Sequence, residues 1–332
     1  MVMGPEPPTA TTTAVVDEAA LVAADGEAIE GRSLGRIAWT RLKRDKVAMA
    51  GGVVIILLIV VAIIAPLIVK LLGHPPNEFH QNLTGDNNLP NGRWGGINRD
   101  FLLGVEPEKG RDIFSRILYG SRISLLIAFL ATVLSVVIGT VMGMVAGYKG
   151  GWVDTAISRT MDVFLAFPLL LFALALVGVI PDHAFGLTGN GLRIAILIFI
   201  IGFFNWPYIG RIVRGQTLSL REREFVEASR SLGARPVYIV FREILPNLFA
   251  PILVYATLLI PTNILFEAAL TFLGAGIRPP TATWGGMLAD SITWYEVDPA
   301  YMIFPGLAIF VTVLAFNLFG DGLRDAFDPK TR

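Results

Sequence analysis

Residues 47–69 run for 23 positions without a charged side chain. As a helix the run would rise about 34 Å at ~1.5 Å per residue, enough to cross a hydrocarbon core of ~30 Å. Five more runs repeat the pattern, at 123–148, 163–181, 194–210, 247–266 and 302–320. The expectation is an all-α membrane protein with six transmembrane helices. Only 16% of the 332 residues are charged, against roughly 25% in soluble domains. That is too few to cover a water-facing surface.

The formal net charge of zero hides an asymmetry. With the N-terminus cytoplasmic and six spans following, about two thirds of the 27 Lys and Arg fall on inner segments, seven of them arginines between Arg211 and Arg242. The positive-inside rule then predicts both termini in the cytoplasm. Residues 1–33, rich in Ala, Thr, Pro and Glu, read as a disordered cytoplasmic tail. They do not read as a signal peptide, because the first apolar run starts late and is too long.

Between the first two spans lies a long outer segment, rich in Pro, Asn and Gly up to about residue 98. From Asp112 onward Ile113, Ile117 and Leu118 recur at helical spacing, which predicts an amphipathic helix at the outer interface turning into span two. The stretch YKGGWVDTAISRTMD reads as a short polar loop, with Trp152 suited to an interface belt. Trp284, Trp294 and Tyr295 suggest another interfacial element before span six. Pro168 and Pro261 stand in spans three and five, where prolines can kink a helix.

Two acids are candidates for gating or for the translocation path. Glu267 closely follows the uncharged run of span five, and an acid in a membrane is a functional candidate by default; the plainer reading is an acid near the outer interface. Asp162 marks the inner start of span three. The chain has no cysteine, and His74, His80 and His183 read as solvated loop histidines, so no metal site is expected. No Gly-Lys dipeptide occurs, hence no P-loop. No catalytic constellation is visible, nor any internal repeat that would favour an ion-coupled secondary transporter.

The most informative stretch is FVEASRSLGARPVYIVFREILPN, residues 225–247. Placed on one helix over 216–232, Leu218, Phe225, Ser229 and Leu232 share a narrow stripe, expected to rest on the membrane domain. Glu227 has Arg223 at i−4 and Arg230 at i+3, pairs of ~0.2–0.5 kcal/mol each. Gly233 is placed to take the left-handed C′ position and Pro236 follows. A second helix over 237–245 then leads into span five at Pro246. From the residues alone this is either a solvated connector or a docking element.

The stretch resembles the EAA loop of bacterial ABC importer permeases, with Glu227, Ala228, Ser229, Gly233, Leu245 and Pro246 in register and Ser229 replacing an alanine. GRDIFSRILYGSRISL, AGYKGGWVDTAISRTMDVFLAFP, LTFLGAGIRPPTATWGGMLAD and FPGLAIFVTVLAFNLFGDGLRDAFDP are similar to the dipeptide and oligopeptide permeases of the DppC/OppC type. The approach GVEPEKGRD is longer by about one residue than the family's usual form.

The resemblance implies a type I ABC importer permease fold. Its divisions would be 34–112 as first transmembrane helix plus extracytoplasmic segment, 113–322 as permease core with a coupling loop at about 215–246, and 323–332 as a cytoplasmic tail. Glu227, Ala228, Ser229, Leu232, Gly233 and Pro246 would couple to an ATPase. The implied partners are a second permease, two ATPase subunits that use ATP and Mg, an extracytoplasmic solute-binding protein and a short peptide; no nucleic acid is expected. Nickel or another small solute is the alternative cargo.

Overall fold

A backbone N–H or C=O without a partner in hydrocarbon costs several kcal/mol, and the described parts of the uncharged runs are accordingly helical except at Phe167–Pro168. The computed structural model describes residues 34–72, 74–179, 183–184 and 186–328; the expected tail 1–33 lies outside them. Among the described residues a short α1 (Leu34–Leu42) precedes α2 (Lys46–Leu72), and α3 (Ile113–Lys149) follows the outer segment. Next come α4 (Gly151–Ala166), α5 (Leu169–Val179), a two-residue antiparallel hairpin of β1 (His183–Ala184) and β2 (Leu187–Thr188), and α6 (Gly189–Arg221). Then follow α7 (Glu224–Ser231), α8 (Pro236–Phe272), α9 (Trp284–Ser291) and α10 (Ala300–Phe327).

Helices α2, α3, α6, α8 and α10 are each long and apolar enough to span a membrane, and α4 with α5 pass the same test only as a pair bent by 80°, a broken span or a re-entrant loop. Pro168 explains the break: it lacks an N–H and biases the preceding residue away from helix. Phe167 is extended, at φ −77° and ψ 128°.

Several expectations need correction. The amphipathic segment after Asp112 is the first part of α3 itself, a continuous helix of 37 residues. Asp112 caps it, accepting from the N–H groups of Phe114 and Ser115, and burial pushes its carboxyl up from the usual range despite those bonds. The supposed polar loop at 148–162 is a turn at Gly150, φ +65°, followed by helix α4. Trp284 is no interface anchor: it is buried and its Nε1 donates to Ile117 O at 3.1 Å.

The α3–α6 pair is the backbone of the bundle. Gly139, Gly143 and Gly147 present a bare stripe on α3, spaced by one turn. A Cβ on Gly143 would stand 2.6 Å from Gly210 O and 2.8 Å from Val213 Cβ, and one on Gly139 would stand 2.7 Å from Trp206 O. Close backbone approach of this kind drives helix association in lipid, where no hydrophobic force separates protein from solvent.

The segment between α2 and α3, expected to lie outside, folds onto one end of the bundle. Buried Glu106 pairs with Arg111 and, at 3.2 Å, with Arg116, and it accepts from Tyr301 Oη at 3.0 Å. Arg116 also donates to Pro76 O and Pro280 O, so one side chain joins the outer segment, α3 and the loop before α9. His74 stacks on Phe101 with ring centroids 4.0 Å apart, and His80 meets both edge-on. These two histidines are packed, not solvated as the sequence suggested. His183 is exposed.

Candidate functional site

The helix expected over 216–232 is two helices. Helix α6 ends at Arg221, whose Nη1 donates to Gly147 O at 3.0 Å and fastens the end of α6 to the end of α3. Arg223 is extended, and α7 begins at Glu224. The buried face of α7 is Val226, packed with Met144, Ile209, Val213, Ile239, Ile244 and Leu248. The stripe expected to rest on the bundle turns outward instead: Phe225 is 39% and Leu232 88% exposed. Breaking the helix at Glu222–Arg223 changes the phase of everything after it, which is why one continuous wheel selects the wrong face. The ion pairs expected for Glu227 do not form; among the described residues Arg223, Glu227 and Arg230 make no salt bridge.

The stop at Gly233 has the expected form. Gly233 adopts φ +84°. Its N–H donates to Arg230 O at 3.0 Å and the N–H of Ala234 donates to Ser229 O at 3.0 Å, the paired 5→2 and 6→1 bonds of a Schellman turn. Pro236 then opens α8 at a position where its missing N–H costs nothing. Pro246 stands in the first turn of the α-helical part of α8, Leu245–Phe272, directly after the segment Ile239–Ile244, so it marks the entry to span five as expected. It cannot donate, and its ring would press on the carbonyl four residues back; the preceding segment Ile239–Ile244 widens into a π-turn that accommodates it.

The result is a sharply capped elbow whose apolar side chains point away from the bundle. Phe225, Leu232, Val237, Tyr238 and Phe241 are exposed on it, among Arg223, Glu224, Glu227, Arg230, Arg235 and Arg242. Ala228 is exposed and Ser229 half-buried. Exposed apolar side chains grouped within a polar rim are the pattern of an interaction surface.

Asp162 and Glu267 are not brought together. Asp162 is half-exposed on α4 and accepts from Arg211 Nη2 on α6 at 2.6 Å, with Arg159 at 3.6 Å. Beside it Asp154 holds Arg214, with Nη2 to Oδ2 at 2.7 Å. Two ion pairs thus bind α4 to α6, the helix that leads to the elbow. Glu267 is not near an exposed interface: it is wholly buried within α8, with Thr271 Oγ1 donating to its Oε1 at 2.9 Å.

One turn before Glu267 stands a polar group that sequence reasoning missed. Asn205 Nδ2 donates to Asn263 Oδ1 at 2.9 Å, and Asn263 Nδ2 donates to Thr132 Oγ1 at 2.8 Å. Ser135 Oγ adds a bond to Gly202 O at 2.8 Å. These bonds tie α3, α6 and α8 at buried positions. Lone amides inside the runs FFNWP and IPTNIL were the available signal. Missed too were Asp154 with Arg214 and the Glu106–Arg111–Arg116 cluster.

Five long apolar helices and a broken helix pair around a glycine-packed seam, with one sharply capped elbow outside the spans, define a multi-pass helical membrane protein. Residues 135–332 match the binding-protein-dependent transport system inner membrane component family, and residues 33–90 match the N-terminal TM domain of oligopeptide transport permease C. The chain belongs to the binding-protein-dependent transport system inner membrane component family. It is 41% identical over 297 residues to the dipeptide transport system permease protein DppC of Alkalihalophilus pseudofirmus, covering 90% of each chain. It is 42% identical over 295 residues to the glutathione transport system permease protein GsiD of Escherichia coli O6:K15:H31, covering 89% of this chain and 90% of the relative. In fold it is similar to a chain of the inward-facing MetNI methionine ABC transporter, with TM-score 0.52, 21% identity, and coverage of 64% of this chain and 97% of that one.

Proposed function

We propose that the chain is one of two permease subunits of an ATP-driven importer for short peptides, and that the elbow at 222–246 receives the movement of an ATPase. The outward apolar face of α7 and the following turn carries this reading. Phe225 and Leu232 give a partner something to grip, while Val226 and the Schellman turn make the elbow stiff enough to transmit force. Glu227, Ala228, Ser229, Leu232 and Gly233 supply the docking helix and its stop; Pro246 stiffens the start of α8 behind it. ATP and Mg belong to the partner subunits, and both termini and the elbow face the cytoplasm, in line with the positive-inside bias.

Closure of the ATPases would push the elbow. Helix α6, fused to α3 along the glycine stripe, moves as a unit with it, and the Asp154–Arg214 and Asp162–Arg211 pairs carry α4 along. The break at Phe167–Pro168 lets α5 lag behind, so a pathway shared with a second permease opens on one side at a time. A peptide cargo is supported by similarity to a dipeptide permease and a glutathione permease; glutathione is itself a tripeptide. The test is ATPase stimulation of the purified complete transporter by its binding protein loaded with dipeptides, with tripeptides or with a nickel complex. Stimulation by peptides alone is expected; stimulation by nickel alone would overturn the cargo reading.

A further inference from the structure

The site described above leaves α1 unused, and α1 carries a surface of its own. Ala38 and Leu42 are buried against Val254, Leu323 and Ala326, which fixes α1 across the end of α10 and just ahead of α2. Its opposite side is an unusual mixture. Trp39 is 52% and Ile37 37% exposed, and the Lys43 ammonium lies over the Trp39 ring, 5.0 Å from its centroid. Arg36, Arg41, Lys43, Arg44 and Lys46 crowd into 11 residues with one acid, Asp45.

That acid is already committed. Asp45 Oδ1 accepts from the N–H groups of Val47 and Ala48, at 2.9 and 3.1 Å, and so starts α2. Arg41 is partly engaged, donating to Asp328 O at 2.7 Å. Among the described residues no carboxylate lies within ion-pair distance of Arg36, Lys43, Arg44 or Lys46. All four are exposed. Lys43, Arg44 and Lys46 stand immediately before Val47, 57% exposed, the first of the outward-facing apolar residues of α2. Four cations without a carboxylate partner among the described residues and an exposed indole thus lie ahead of the apolar length of α2.

We propose that α1 with the turn 43–46 is an interfacial anchor that binds anionic phospholipid headgroups. The chemistry fits on each count. Indole rings settle at the membrane–water boundary, an amphipathic helix with a basic face lies in that plane, and juxtamembrane Lys and Arg attract anionic lipid. Arg44 and Lys46 flank the start of α2 and meet the phosphates; Lys43, held over Trp39, keeps its charge beside the ring. Because Ala38 and Leu42 pack on α10, a bound headgroup also braces the two helices against each other. The proposal rests on the placement of α1 and holds whichever solute is carried and whichever ATPase docks at the elbow.

The test uses the full-length chain reconstituted in phosphatidylcholine vesicles containing trace spin-labelled phosphatidylglycerol or phosphatidylcholine, with the motionally restricted fraction read by EPR. The wild type is expected to select phosphatidylglycerol, and to lose that selectivity at ~1 M salt, where the screening length is about 3 Å. Replacing Lys43, Arg44 and Lys46 together by Gln should weaken phosphatidylglycerol association by roughly fivefold or more, since one basic residue near the surface contributes about that factor. Replacing Arg223, Arg230 and Arg235 on the elbow by Gln should leave it unchanged. Salt-insensitive selectivity in the wild type overturns the proposal without any variant. So does a result in which the elbow triple abolishes selectivity and the Lys43/Arg44/Lys46 triple keeps it.

Discussion

Replacing Gly233 isolates the conformational demand of the elbow, because nothing else stands in the way of a side chain there. A Cβ built on Gly233 meets no atom within 4 Å, so steric clash is absent and only the backbone angle, φ +84°, resists substitution. For alanine that resistance is about 1–2 kcal/mol. Valine is worse, since a β-branched residue at positive φ is a genuine outlier. Asparagine tolerates the left-handed region and should behave nearly as glycine does. A penalty of 1–2 kcal/mol shifts a two-state equilibrium by a factor of about 5–30. With Val226 still holding the first half of α7, the strain falls on the turn, which reopens and releases the bonds from Gly233 and Ala234. We expect the affinity of the permease for its ATPases, measured by titration in nanodiscs at matched subunit content, to fall in the order Gly, Asn, Ala, Val. The drop for Ala should be of that 5–30-fold size and for Val larger, with uptake falling in parallel. The spans are untouched, so insertion and pairing with the second permease should be normal. Equal affinity and uptake for Gly233→Val would show that the turn is not the mechanical joint.

In the α3–α6 seam, Gly143→Leu drives a side chain into Gly210 O and Val213, and overpacking costs typically 1–3 kcal/mol; folded yield and thermal midpoint in detergent should both drop, and an unchanged midpoint would mean the helices separate freely. Glu267→Gln keeps an acceptor for Thr271 and should preserve both midpoint and uptake, whereas Glu267→Leu strands Thr271 and lowers the midpoint. Loss of uptake in Glu267→Gln at normal stability would restore Glu267 to the translocation path. For orientation, the absence of native cysteine allows single-site labelling: Ser229→Cys should react only from the cytoplasmic side, and Asn91→Cys and Thr281→Cys only from outside. Labelling of Ser229→Cys in intact cells would reverse the topology and remove the ATPase from the elbow.

Much of this protein was legible before any coordinates. Five of the six expected spans follow from uncharged length alone, because the cost of leaving backbone polar groups unpaired in hydrocarbon leaves little freedom. The turn at Gly233 was equally readable, since left-handed backbone is nearly the private territory of glycine. Other features needed the folded chain. In a soluble helix, periodicity marks the buried side. In a membrane, lipid-facing and core-facing positions are both apolar, so nothing in IGTVMGMVAGYK says which side of α3 meets α6 except the glycines themselves. The same ambiguity hid Asn205 and Asn263, two amides 58 residues apart that become intelligible only as partners of each other and of Thr132. It also left Glu267 undecided between interface and interior. For α7 the local register failed for a different reason: a single extended residue, Arg223, resets the helical phase, and Val226 rather than Leu232 faces the bundle. Sequence decides what must be helix and where helix must stop. Which side of each helix is protein and which is lipid is settled only when six helices pack together, because only then does close contact distinguish one apolar surface from another.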